Sequence, residues 1–278
     1  MNPQQQTISR IVIALEAGER DEYALELARW LTPIQAQEVL GLFVESESLL
    51  AHAQSRQARE ILLTGAARSL DRHVLERQIH AEAARARLRF EAASTRLGWV
   101  HRFETARGDF LLESIRRAAG AQALVVTMAR SFLFGASQRE FCRQLFDAAP
   151  PLVLLARHGW LSGRSIAVVA DGSDDTLLDT AARIAVHSNS PLIAFVSDGL
   201  DGRPEAVTGR TAERLRARGV EKFAVVTVNP MTVENIIKAT RASSTRLLIM
   251  PSPRTSDESA EIEQLLRRFS GALMFVRS

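Results

Sequence analysis

The sequence predicts an α/β protein made of two tandem three-layer α/β/α domains, each built on a five-stranded parallel sheet. Three observations predict it. Short apolar runs alternate with amphipathic helical tracts along all 278 residues. The runs are uniformly apolar rather than alternating, which marks strands covered on both faces. The same order of elements occurs twice, which points to an internal duplication. Right-handed crossovers between parallel strands then put helices on both faces of each sheet.

In the first half, "RIVIAL" (10–15) reads as a strand, "DEYALELARWL" (21–31) as a helix and "EVLGLFV" (38–44) as a strand. A long helical tract covers about 48–97. Its later part carries Leu75, Ile79, Ala83, Ala86, Phe90, Ala93 and Leu97 at helical spacing. Arg85, Arg87 and Arg89 lie off that stripe, either as a solvated, ion-paired face or as a face for an anion or partner. The earlier part, "LLAHAQSRQAREILL" (49–63), reads as a further helix. "WVHRFETA" (99–106) is a strand, and "DFLLESIRRAAG" (109–120) a helix capped by Asp109. "ALVVTM" (123–128), "REFCRQLFDAA" (139–149) and "PLVLLA" (151–156) complete the half as strand, helix and strand.

The second half repeats the order. "SIAVVA" (165–170), "PLIAFVS" (191–197), "KFAVVTV" (222–228), "TRLLIMP" (245–251) and "GALMFVR" (271–277) are strands. Helices fall between them at 176–188, 205–219, 232–243 with Thr232 as cap, and 259–269. "RHGWLSGR" (157–164) is a joint short enough to keep the halves packed together. The expected domains are therefore 1–158, carrying the helical insertion at about 48–97, and 159–278.

Composition narrows the function. The pI near 9.7 suggests nucleic acid. However, residues 1–160 carry a net charge of only +2 and residues 161–278 only +1. Neither half attracts a phosphate backbone strongly. The high pI reflects arginine, since Lys222 and Lys238 are the only lysines. No apolar stretch approaches the ~20 residues that span a bilayer, and the start "MNPQQQTISR" lacks a secretion signal. The single cysteine, Cys142, excludes an intrachain disulfide and fits a reducing cytoplasm. We therefore expect no nucleic-acid or membrane partner.

Enzyme signatures are absent: there is no Gly-x-Ser-x-Gly elbow, HExxH or Walker loop. His73 and His80 could share a helix face, but no cysteine or paired carboxylate completes a metal shell. Asp174, Asp175 and Asp179 cluster at the start of a helix, where negative charge is favoured without any catalytic role. No metal and no catalytic residue are expected.

The corner "VVADGSDD" (168–175) asks for a ligand or for nothing more than a turn. Asp171 and Gly172 favour a turn, and Ser173 or Asp174 can cap the helix that follows. With five strands and four helices per unit, in tandem, and Asp-Gly-Ser after a first strand, the chain resembles a tandem universal stress protein. The resemblance covers both halves from about residue 8. It implies strand order 3-2-1-4-5 in an adenine nucleotide alpha hydrolase-like fold, and a family divided into members that bind ATP and members that do not. It implies an adenosine contact at Asp171, with Gly172 and Ser173 beside it. In the first half Glu16 takes the aspartate's place, and its longer side chain would displace the base.

ATP-binding members also carry a loop of the form Gly-x2-Gly-x9-Gly-Ser/Thr after the fourth strand, whose backbone N–H groups hold phosphates. Here both counterparts depart from it. "MARSFLFGASQRE" (128–140) keeps only Gly135, with Ser137 nearby, among Phe132, Leu133 and Phe134. "MPSPRTSDESAEI" (250–262) has no glycine, and Pro251 and Pro253 donate no hydrogen bond. Arg254 is a candidate side-chain substitute for the missing donors.

The resemblance thus implies a non-enzymatic cytoplasmic stress-response protein that works through protein contacts or small-ligand sensing, with no ATP bound in the usual family manner. The alternative is a regulator that holds ATP or another adenine nucleotide at Asp171. A third reading makes the 48–97 tract a docking element. Family closing strands meet at dimer interfaces, so "PPLVLLA" (150–156) and "ALMFVR" (272–277) are expected to pair as an internal pseudo-dimer. Association into a homodimer is compatible with this.

Overall fold

Runs such as Arg10–Leu15 have no polar face to turn to water, so they are stable only as strands sandwiched between helices. In the computed structural model they form parallel sheets with helical crossovers. The structure describes residues 10–15, 21–34, 37–53, 59–61, 67–69, 71–128, 143–147, 150–157, 163–170, 175–197, 204–253 and 255–277. The chain divides into two compact units, one of Met1–Glu26 with Ala36–Thr127, the other of Leu27–Gln35 with Met128–Ser278.

In the first unit, β1 (Arg10–Leu15), β2 (Glu38–Ser46), β5 (His101–Gly108) and β6 (Ala123–Met128) lie in the order β6-β1-β2-β5, all parallel. Ile13 pairs with Gly41 on one side and Val125 on the other. Helix α1 (Asp21–Ala28) follows β1. It gives way to a 3-10 helix at Arg29–Ile34, which contains Pro33, a residue that cannot donate to a continuing helix. After β2 come α2 (Glu47–His52), the antiparallel hairpin β3 (Arg59–Ile61) and β4 (Ala67–Ser69), α3 (Arg72–Arg96) and α4 (Phe110–Ala118).

The 49–63 tract is therefore not one helix. Helix α2 ends at His52, and Arg59 pairs with Ser69 in a hairpin. Cross-strand bonds outweigh a helix propensity worth only tenths of a kcal/mol per residue. Helix α3 holds the predicted stripe from Leu75 through Ile79, Ala83, Ala86 and Phe90 to Ala93, all buried, while Leu97 is its half-buried C-cap. Arg85 and Arg87 stay exposed, whereas Arg89 is half-buried. Arg87 lies 3.8 Å from Glu91 and 5.2 Å over the Phe103 ring, as the solvated-face reading expects. Asp109 caps α4, accepting from the N–H groups of Leu111 (2.9 Å) and Leu112 (3.0 Å).

In the second unit, β7 (Leu152–Arg157), β8 (Ser165–Ala170), β9 (Leu192–Val196), β10 (Phe223–Thr227), β11 (Thr245–Pro251) and β12 (Ala272–Val276) form the order β10-β9-β8-β11-β12-β7. The five strands of the second half thus run 3-2-1-4-5, as expected. The closing strands of the two halves meet, because β7 pairs antiparallel with β12, Leu155 opposite Leu273. Helices α5 (Asp175–Ser188), α6 (Pro204–Ala217), α7 (Val233–Ala242) and α8 (Ser256–Arg268) connect the strands, and residues 143–147 are helical. Thr232 caps α7 through Asn235 N–H. Trp30 of the 3-10 helix packs in this unit, its ring 5.2 Å from the Arg246 guanidinium. Among the described residues, no helix is long and apolar enough to cross a membrane.

Candidate functional site

In an open parallel sheet, strand order reverses between the first and fourth strands, and the crevice beyond their carboxyl ends is where ligands bind. In the second unit that point lies between β8 and β11, with Val168 level with Ile249. β8 ends on buried Ala170, so the corner Asp171-Gly172-Ser173 follows directly in the chain. Those three residues and Arg254 lie outside the described residues, as do Glu16, Gly135 and Ser137 in the first half.

The exit of β11 is described up to Pro253 and again from Thr255. Pro251 closes the strand beside Val276, and neither it nor Pro253 has an N–H to offer. The N–H between them, on Ser252, donates to Val276 C=O at 2.9 Å. At the start of α8, Thr255 Oγ1 accepts the N–H of Glu258 at 3.2 Å. A helix start normally exposes orphan donors that suit an anion, and here one is already occupied by its own cap. The sequence reading did not anticipate this cap, although the Thr255-x-x-Glu258 spacing carries its signature.

The acids expected at the start of α5 have partners on α6 and just past its end. Arg214 and Arg218 both reach Asp175 Oδ1, Arg218 at 2.8 Å, and Arg218 also reaches Asp179. These contacts clip α5 to the C-terminal end of α6. They leave Asp175 and Asp179 as structural anions rather than free acid/base groups. Asp174 lies outside the described residues.

Hydrogen bonds from Arg214, then from Arg218, hold the Asp175 carboxyl below its ordinary value of 3.8. A depressed carboxylate contributes stability that is complete above the unfolded-state value and is lost as pH falls through the folded one. Asp175→Asn should therefore cost stability at neutral pH and flatten the loss of stability below about pH 4. Urea midpoints at a series of acid pH values check both; parallel curves for the variant and the parent would contradict the assignment.

The carboxyl edge of the first unit holds a second charged group that the sequence did not signal. Glu45, the penultimate residue of β2, is only 7% exposed. Its Oε2 accepts from Arg107 Nε (3.1 Å) and Nη2 (2.9 Å), and His80 Nε2 stands 3.5 Å from its Oε1. A buried carboxylate is stable only when compensated in this way. Residues 45, 80 and 107 come from a strand, a helix and another strand. The only hint in the sequence is charge where an apolar strand ends, in "LFVES". His73 lies by Glu76 (3.9 Å) while His80 serves Glu45, so each histidine has its own carboxylate. Among the described residues, no group of three or more His, Cys, Asp or Glu side chains is arranged to hold a metal ion.

No protein-family model and no curated protein matches the chain. Solved structures do. A universal stress protein from Archaeoglobus fulgidus superposes with a TM-score of 0.66 at 14% identity, covering 96% of each chain. A Pseudomonas aeruginosa protein assigned to the universal stress proteins gives 0.52 at 16% identity, covering 98% of this chain and 94% of its own. The cytoplasmic domain of a prokaryotic cation chloride cotransporter gives 0.50 at 12% identity, covering 96% and 94%. The chain therefore has the universal stress protein fold, in tandem.

Proposed function

We propose that this chain is a non-enzymatic stress-response protein of the cytoplasm, acting through protein contacts or small-ligand sensing, and that it does not hold ATP in the manner of the ATP-binding universal stress proteins. The observation that carries the reading is the exit of β11. Phosphate cradles in this position work by backbone N–H groups turned toward the ligand. Here two of three consecutive residues are prolines, and the Ser252 N–H between them is bonded to Val276. Three carboxylates near the carboxyl edges, Glu45, Asp175 and Asp179, are matched by arginines, which supports a binding or contact role over acid/base chemistry for them.

A second reading draws on β8 ending at the switch point with Asp171 next in sequence, and has the chain hold ATP or another adenine nucleotide at Asp171. Equilibrium dialysis of the full chain with ATP separates the two. The first predicts no saturable binding at millimolar nucleotide, in the parent or in Asp171→Ala. Saturable binding that Asp171→Ala abolishes would establish the second reading instead.

A further inference from the structure

We propose that β10 is a self-association edge, at which two copies of the chain join their second-unit sheets in an antiparallel pair about a two-fold axis through Val225.

The backbone sets the register. Lys222 C=O accepts from Leu192 N–H (2.9 Å), and Val228 N–H donates to Val196 C=O (2.8 Å). Alternate residues of a strand bond to the same side, so 222, 224, 226 and 228 spend their groups on β9. The N–H and C=O groups of Phe223, Val225 and Thr227 point the other way, off the end of the sheet. An exposed row of this kind is a template for another strand.

Self-pairing fits that row. In an antiparallel pair centred on Val225, Val225 faces Val225, and Phe223 faces Thr227 twice. All three are hydrogen-bonded positions, so every outward group finds a partner. Between them, Ala224 faces Val226 at the closely spaced positions. Both side chains are exposed, Val226 at 39%. Pairing would bury two Ala–Val contacts with no charge opposing charge. The 223/225 side stays under α6, where Arg216 sits 5.3 Å over the Phe223 ring.

The edge strand of the first unit shows what a protected edge looks like in this chain. β5 carries Arg102, Glu104 and Arg107, tied into ion pairs with one another or with their neighbours. Charged side chains on an edge discourage pairing. β10 has none between Phe223 and Thr227. At its other end, the second-unit sheet already accepts an antiparallel strand, β7, so a second antiparallel addition continues a mode of pairing the unit uses.

The test is sedimentation of the full chain over a concentration series. The parent should sediment as a reversible two-chain particle. Val225→Pro removes the outward donor while leaving every bond to β9 in place, and edge positions of this type tolerate proline. It should weaken association about tenfold or more, with an unchanged circular dichroism spectrum. A224K should also weaken it. Adding V226E to A224K should restore it, because Lys and Glu then face each other twice. A parent that stays a single chain at about 100 μM, a concentration well above the Kd of ordinary specific pairs, overturns the proposal. So does a two-chain particle whose affinity is unchanged by both Val225→Pro and A224K.

Discussion

Phe90→Ala should lower the stability of the first unit by about 3–5 kcal/mol, the range for emptying a buried aromatic site. Phe90 is fully buried on α3, with its ring 5.9 Å from His101 and 5.8 Å from Phe103 by centroid. Gly41 lies directly across, and a Cβ placed there would sit 2.9 Å from the ring. The glycine is thus the socket into which the phenyl ring fits. Two tests follow from one contact. Gly41→Ala should cost about 1–3 kcal/mol by overpacking, and Phe90→Leu should relieve part of that in the double variant. Urea denaturation read by tryptophan fluorescence measures all three. A Phe90→Ala loss below about 1 kcal/mol would mean that α3 is not anchored by this ring.

Phe275→Ala should be equally costly in the second unit, again about 3–5 kcal/mol. Phe275 is fully buried in β12, paired with Met250 of β11 on one side and Val153 of β7 on the other. Its ring meets Phe146 edge-on at a centroid distance of 4.7 Å. The Arg277 guanidinium, two residues on, donates to Phe146 C=O and holds the same helical segment. Phe275→Leu keeps most of the volume and should cost less than about 1.5 kcal/mol. Equal losses for Ala and Leu in thermal or urea unfolding would show that the edge-on ring contact, rather than filled volume, carries the stability.

Strands buried on both faces were legible because a run such as "SIAVVA" leaves no polar side for water. The α3 stripe was legible because Leu75, Ile79 and Phe90 keep helical spacing, and the Asp109 and Thr232 caps because short polar side chains favour those positions. Other features escaped. "KFAVVTV" is as uniformly apolar as a central strand, yet it forms an edge with Ala224 and Val226 exposed. Uniform apolarity reports a strand that wants cover on both faces, and carries no information on how many neighbours it has. The β3–β4 pair escaped because it joins Arg59 to Ser69, ten residues further along the chain. The Glu45 group escaped because its partners are 35 and 62 residues away. Helix-start preference alone explained the Asp175 and Asp179 charges, while the arginines that hold them, Arg214 on α6 and Arg218 just past its end, lie some forty residues downstream. The corner expected to contact a ligand, at Asp171, Gly172 and Ser173, is outside the described residues.

The antiparallel seam between β7 and β12 fixes where the polypeptide can be cut. A fragment starting at residue 159 would follow the sequence duplication, yet it would strip β7 away and leave the apolar segment Ala272–Val276 as a raw border. Such a fragment is set up to precipitate or to recruit a foreign strand. One beginning upstream of residue 143 retains the strand, and with Phe146 the cover over Phe275, yet it still lacks the 3-10 helix at Arg29–Ile34 whose Trp30 meets Arg246.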